Sequence, residues 1–157
     1  MFHRSLTTLL LLLLLPMLAH GVEVPKATDL AADARLAASK QVPILLVVSQ
    51  DHCSFCHLLK REILRPMLIS GEYDDKVIIR ELLIDEGESV VNFQGRTVEA
   101  AELAHTYRSY LTPTLLFLDH QGRERAPRIV GINTIEMYGY YVDEAIDQAL
   151  ASIRRTR

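Results

Sequence analysis

The sequence predicts an α/β domain with a central mixed β-sheet flanked by helices. Three observations carry that prediction. Apolar runs at residues 44–48, 77–84 and 115–118 are too short for core helices and have the length of buried strands. Between them lie stretches whose apolar residues recur at helical spacing. Near the C-terminus, Asp119-His120-Gln121-Gly122 reads as a hairpin turn leading into a further strand. The resulting order is helix, strand, helix, strand, helix, strand, strand, helix. A helix crossing between the first two strands makes them parallel, and the last two form an antiparallel pair.

Each element has a local reason. Thr28 or Asp29 can cap a first helix carrying Leu30, Ala34, Leu36 and Ala37 up to Ser39-Lys40. Pro43 opens Ile44-Leu45-Leu46-Val47-Val48, a continuous apolar run suited to a central strand buried on both faces. Cys53 to about Met67 has helical spacing, with Leu58, Leu59, Ile63 and Leu64 on one face. Pro66 is expected to kink or end that helix. Val77 to Ile84 is the second strand, Asp85–Glu88 a solvated loop, and Asn92–Gly95 a small turn. Val98, Ala101, Leu103, Ala104 and Tyr107 predict a helix from Thr97 to about Tyr110. Thr112-Pro113-Thr114 interrupts the chain before Leu115–Leu118, and a strand is expected around Arg128–Val130. Thr134 can cap a terminal helix running to about Ile153. Tyr138, Tyr140 and Tyr141 are expected to pack it, and Arg154, Arg155 and Arg157 suit its negative end.

The first 21 of the 157 residues read as a secretory signal. Arg4 supplies a positive start, Leu9–Leu15 is unbroken leucine, and Ala19-His20-Gly21 offers small residues for cleavage after Gly21. An uncleaved membrane anchor is the second reading, although the apolar core is short against the roughly 20 residues of a span. Removing these 21 residues from 157 leaves 136, with 16 basic and 20 acidic side chains. Residues 22–41 then form an N-terminal linker and helix, 42–153 the main domain and 154–157 a basic tail. A net negative chain without a basic cluster excludes nucleic acid as the main partner, because phosphate neutralisation needs several Lys or Arg on one face. Export would place the domain in the periplasm or outside the cell, where a disulfide can persist.

Both cysteines lie in Cys53-Ser54-Phe55-Cys56, at the junction of the first buried strand and the following helix. At this spacing the two sulfurs can reach bonding distance. Cys53 would sit by the unpaired N–H groups and positive dipole of the helix start, which favours its thiolate. Cys53 is thus the candidate nucleophile toward a substrate disulfide. Cys56 is the residue that would resolve the mixed disulfide. Other metal-ligand types flank the pair at His52 and His57, but adjacent residues point apart and no second ligand pair is present, so no metal is expected.

With these residues the chain resembles the thioredoxin superfamily over about residues 42–150. The resemblance rests on the strand leading into Cys53-Ser54-Phe55-Cys56, on Thr112-Pro113-Thr114 before a later strand, and on Gly131 after the last strand. It implies a thioredoxin-like fold, a cis bond at Pro113 facing the disulfide, and backbone hydrogen bonds from Thr112 to an extended substrate. Phe55 is a further candidate for substrate contact. Cys-Ser-Phe-Cys followed by His57 looks like the periplasmic disulfide oxidoreductases, and chain length and Gln94-Gly95-Arg96-Thr97 look like the SoxW-type thioredoxins. Two departures stand out. His52 occupies the position of the tryptophan before the first cysteine, and Val47 that of the buried aspartate. Alignment of the next strand puts Glu81 where a buried lysine normally sits, making it the candidate proton acceptor for Cys56, against the alternative of a surface glutamate. His57 is either a thiolate-stabilising imidazole or a helix-surface residue.

The expected function is therefore thiol:disulfide exchange with protein substrates through the CxxC pair, without organic cofactor, by a monomer recharged by a membrane redox partner. The reductase direction is slightly favoured. Two alternatives stay open: a non-catalytic thioredoxin-fold binding module with a purely structural disulfide, and a c-type haem protein, since Cys53–His57 also spells CxxCH.

Overall fold

The structure, a computed structural model, describes residues 21–155. The signal segment before Gly21 and residues 156–157 of the basic tail lie outside the described residues. In chain order the elements are α1 (Leu30–Lys40), β1 (Ile44–Ser49), α2 (Ser54–Leu59), a π-helical turn (Lys60–Leu64), α3 (Arg65–Ser70) and β2 (Ile78–Leu83). Then follow β3 (Ser89–Val91), β4 (Thr97–Glu99), α4 (Ala100–Thr106), β5 (Thr114–Leu118), β6 (Ile129–Val130) and α5 (Ile135–Arg155).

The main sheet has the order β2-β1-β5-β6, with β1 and β2 parallel and the other pairs antiparallel. The mixed sheet and its parallel first pair match the expected architecture. Strand β1 is central and buried along its whole length, as its unbroken apolar run requires. Alternation along the strands divides the core in two. Leu45, Val47, Ile79, Leu115 and Phe117 face Leu59, Leu64, Met67 and the buried stripe of α5. Ile44, Leu46, Val48, Ile78, Leu82, Leu116 and Leu118 face Leu30 and Ala37 of α1 and Leu103 and Ala104 of α4.

Helix α1 begins where the sequence places it, with Asp29 Oδ1 accepting the Ala32 N–H at 2.8 Å. Its Asp33 receives the Arg80 guanidinium at 2.7–3.0 Å and ties the helix to β2. The helix at Cys53 does not end at Pro66, one of the two expected outcomes there, but continues to Ser70. In the π-helical turn the Arg65 N–H reaches back five residues to the Lys60 carbonyl. The ladder is thus already shifted when the chain meets Pro66, which lies in the first turn of α3, where a missing N–H costs little. The expected helix from Thr97 to Tyr110 is also corrected. Thr97–Glu99 pairs with Ser89–Val91 as a small hairpin closed by Asn92, whose Oδ1 accepts the Gln94 and Arg96 N–H groups at 3.0 Å. Helix α4 therefore starts at Ala100, and it stops at Thr106 before Arg108 turns left-handed at φ 53°. On α5, Tyr138 is buried but Tyr140 and Tyr141 are exposed, because they fall off the stripe formed by Tyr138, Val142, Ala145, Ile146 and Ala149.

Candidate active site

Strand β1 carries the chain out of the core at Ser49 and delivers Cys53 to the start of α2. Cys53 and Cys56 are joined as a disulfide, with Cα atoms 5.2 Å apart. Cys53 caps the helix: its Sγ accepts the Cys56 N–H at 3.1 Å, and its carbonyl accepts the His57 N–H. The two sulfurs differ in access. Cys56 is 1% exposed, whereas Cys53 is half-buried at the surface. Phe55 between them projects outward and is 54% exposed.

The second wall is the loop before β5. The register of β1 and β5 pairs Val48 with Thr114. Two residues after Val48 stands Gln50 and two before Thr114 stands Thr112, and the Thr112 hydroxyl donates to Gln50 Oε1 at 3.2 Å. The Thr112-Pro113 bond is cis, as the resemblance implied. Tyr110 and Leu111, which lead into Thr112, are both exposed. Gly131 closes the far side, its N–H donating to the Pro113 carbonyl at 2.8 Å.

One turn after Cys56 the helix carries one half of a buried ion pair. Glu81 sits directly across from Val47 in the β1–β2 register. Its side chain is buried and accepts from Lys60 Nζ at 2.9 Å. Lys60 stands one turn after Cys56, its backbone N–H bonded to the Cys56 carbonyl. Glu81 is therefore an interior carboxylate, and the surface reading of it is set aside. The backbone of Glu81 is held from outside the sheet by the Pro25 carbonyl and the Ala27 N–H, each at 2.8 Å.

The two flanking histidines have different settings. His52 is exposed on the loop. The His57 ring Nε2 donates to the Asp51 carbonyl at 2.7 Å, while the Asp51 N–H donates to Asp85 Oδ2 at 2.9 Å. Of the residues that sequence reasoning singled out, Cys53 and Cys56 are joined to each other, Thr112 bonds to Gln50, whose carbonyl holds the Cys53 N–H, and Glu81 pairs with Lys60 one turn after Cys56. Sequence reasoning also named the cis bond at Pro113, the exposed Phe55 and His57. It missed Gln50, Lys60 and Asp85. Lys60 had a signal in its i+4 spacing from Cys56, whereas Gln50 and Asp85 emerge only from strand register.

The geometry matches a known family. The sequence model described as a thioredoxin-like domain fits residues 30–150. The chain belongs to the thioredoxin-like family. No curated protein matches its sequence. Among solved structures, this thioredoxin-like chain is similar to a DsbH oxidoreductase, with 18% identity, a TM-score of 0.60, and 85% of this chain and 92% of that one covered. It is also similar to Fasciola hepatica thioredoxin, at 16% identity and TM-score 0.51 over 80% of this chain and 98% of that chain. A third similar structure is mitochondrial thioredoxin 3 of Saccharomyces cerevisiae, at 16% identity and TM-score 0.51 over 79% and 93%. These likenesses establish the thioredoxin-like fold, on which the Cys53–Cys56 pair occupies a strand-to-helix junction.

Proposed function

We propose that the protein is an exported thiol:disulfide oxidoreductase that exchanges disulfides with protein substrates, working as a reductase. The observation that carries the reading is the unequal access of the two sulfurs at a helix start: Cys53 is reachable from solvent and Cys56 is not. In the dithiol form, the Cys53 thiolate attacks one sulfur of a substrate disulfide. A mixed disulfide forms, and the other substrate sulfur leaves as a thiolate. Cys56 then gives up its proton, with Glu81 as acceptor, and its thiolate attacks Cys53 Sγ. This step releases the second substrate sulfur and restores the Cys53–Cys56 disulfide. Two electrons have passed to the substrate, and a membrane dithiol partner returns them.

Thr112 supports the reading as the backbone edge for an extended substrate segment. The exposed Phe55, Tyr110 and Leu111 suit substrates with apolar residues beside the reacting disulfide. The leucine-rich leader supports export, and the Gln94–Thr97 stretch and length support kinship with the SoxW-type reductases. The test is insulin reduction by the dithiol form. Turnover is expected for the natural chain and none for Cys53→Ala, whereas equal activity of the two would reduce the protein to a binding module. A reduction potential near about −270 mV is expected for a reductase, and one near about −120 mV would reverse the direction. Because the chain lacks tryptophan, the titration is read by thiol alkylation and mass.

A further inference from the structure

We infer that Gln50 is a positioning residue that sets the gap between the nucleophile loop and the substrate-binding loop, and so controls recognition of peptide disulfides. The inference rests on the exchange activity proposed above. Gln50 acts on both loops at once. Its carbonyl accepts the Cys53 N–H at 3.3 Å, which fixes the backbone of the attacking residue. Its side-chain Oε1 accepts the Thr112 hydroxyl at 3.2 Å, which fixes the loop that would lie along the substrate.

Each loop is also anchored on its own side. Residue 51 is held by Asp85 Oδ2 from the end of β2 and by His57 Nε2 from α2. The other loop is held by Thr114 Oγ1 donating to the Leu111 carbonyl at 2.6 Å and by Gly131 N–H donating to the Pro113 carbonyl. The Gln50–Thr112 bond is a side-chain link that crosses from one anchored loop to the other. A peptide lying against the Thr112 backbone presents its sulfur to Cys53 at a distance this link determines. Because the bond is exposed, its loss should loosen the gap without unfolding the site.

The experiment measures KM and kcat for a short peptide closed by one disulfide and flanked by apolar residues, with a small dithiol as the excess reductant. The proteins are the natural chain, Gln50→Met, Thr112→Val, the double variant and Thr112→Ser. Gln50→Met, which keeps shape but removes the acceptor, is expected to raise KM roughly three- to tenfold with kcat within about twofold. Thr112→Ser, which keeps the hydroxyl, should retain the natural KM. The double variant should be no worse than the poorer single variant, as befits two halves of one bond. Additive losses in the double variant, or a fall in kcat at unchanged KM for Gln50→Met, would overturn the role of Gln50 while leaving the exchange activity standing. A natural chain that cannot turn the peptide over would take both readings down.

Discussion

In the exchange proposed above, the buried Glu81–Lys60 pair governs the deprotonation of Cys56. Its two side chains are 7% and 13% exposed, so each charge depends on the other. Removing one partner of such a pair costs roughly 3–5 kcal/mol, much of it from the uncompensated charge left behind. Glu81→Gln should therefore lower stability in urea unfolding by about 3 kcal/mol. It should also slow release of the second substrate sulfur. Without an interior acceptor, Cys56 must find its thiolate unaided, and an ordinary thiol titrates near about 8.5. The deficit should be greatest near pH 6, on the order of a hundredfold, and close as the pH approaches 9. Single-turnover kinetics across that range are the check. A rate ratio between natural chain and variant that does not change with pH would remove Glu81 from the proton path. That a carboxylate belonged here was legible once Val47 and Glu81 were compared with the family pattern. Its partner left only the i+4 spacing of Lys60 from Cys56 as a signal, because the pair itself forms only when the π-helical turn meets β2 in the fold.

Among the elements, those with a self-contained signal were legible. Asp29 caps α1, the run at 44–48 is β1, and the Cys53 motif opens a helix, each where the local chemistry puts it. The hairpin of β3 and β4 was hidden because three-residue strands have no measurable period, and the apolar residues of β4 blend into those of α4. The course through Pro66 was hidden for another reason: a π-helical turn leaves no trace in apolar spacing. The turn between β5 and β6 was legible, but its tightness was not. Gly122 has φ 75°, and a Cβ there would lie 2.7 Å from Tyr107 Oη and 2.8 Å from Phe93 Cδ2. The Tyr107 hydroxyl also donates to the Gly122 carbonyl at 2.8 Å, so the ring has little freedom to withdraw. Gly122→Ala combines left-handed strain with overpacking and should cost roughly 3 kcal/mol, a fall in Tm on the order of 10 °C. Gly95→Ala is the control. Its φ of 76° is similar, but no atom beyond its chain neighbours lies within 4 Å of the new methyl, so only the conformational cost of about 1 kcal/mol applies. Equal losses at the two sites would refute the steric account.

For the whole molecule, the segment before α1 is part of the domain and reaches the site. Val24 is 4% exposed and belongs to the same core cluster as Val47, Leu59 and Leu64. Glu23 pairs with Arg65 of α3, and the Thr28 carbonyl accepts the Val91 N–H of β3. Pro25 and Ala27 bond both backbone groups of Glu81, adding a short parallel bridge to the outer edge of β2. The chain emerging from the expected cleavage point is thus laid along the strand that carries Glu81. Deleting residues 22–27 would remove the buried side chains of Val24 and Ala27, two backbone hydrogen bonds to Glu81 and the exposed Glu23–Arg65 and Lys26–Glu88 pairs, a loss of about 5 kcal/mol. It would also leave the Glu81 amide unbonded on an open sheet edge. Amide hydrogen exchange separates this local effect from general loosening. The Ile78 amide, bonded to the Pro43 carbonyl at 2.9 Å on the inner side of β2, should stay protected under conditions where the shortened chain is folded. The Glu81 amide should exchange orders of magnitude faster than in the full chain. Unchanged protection at Glu81 would mean that another group takes over the edge and that the segment does not hold Glu81 in place.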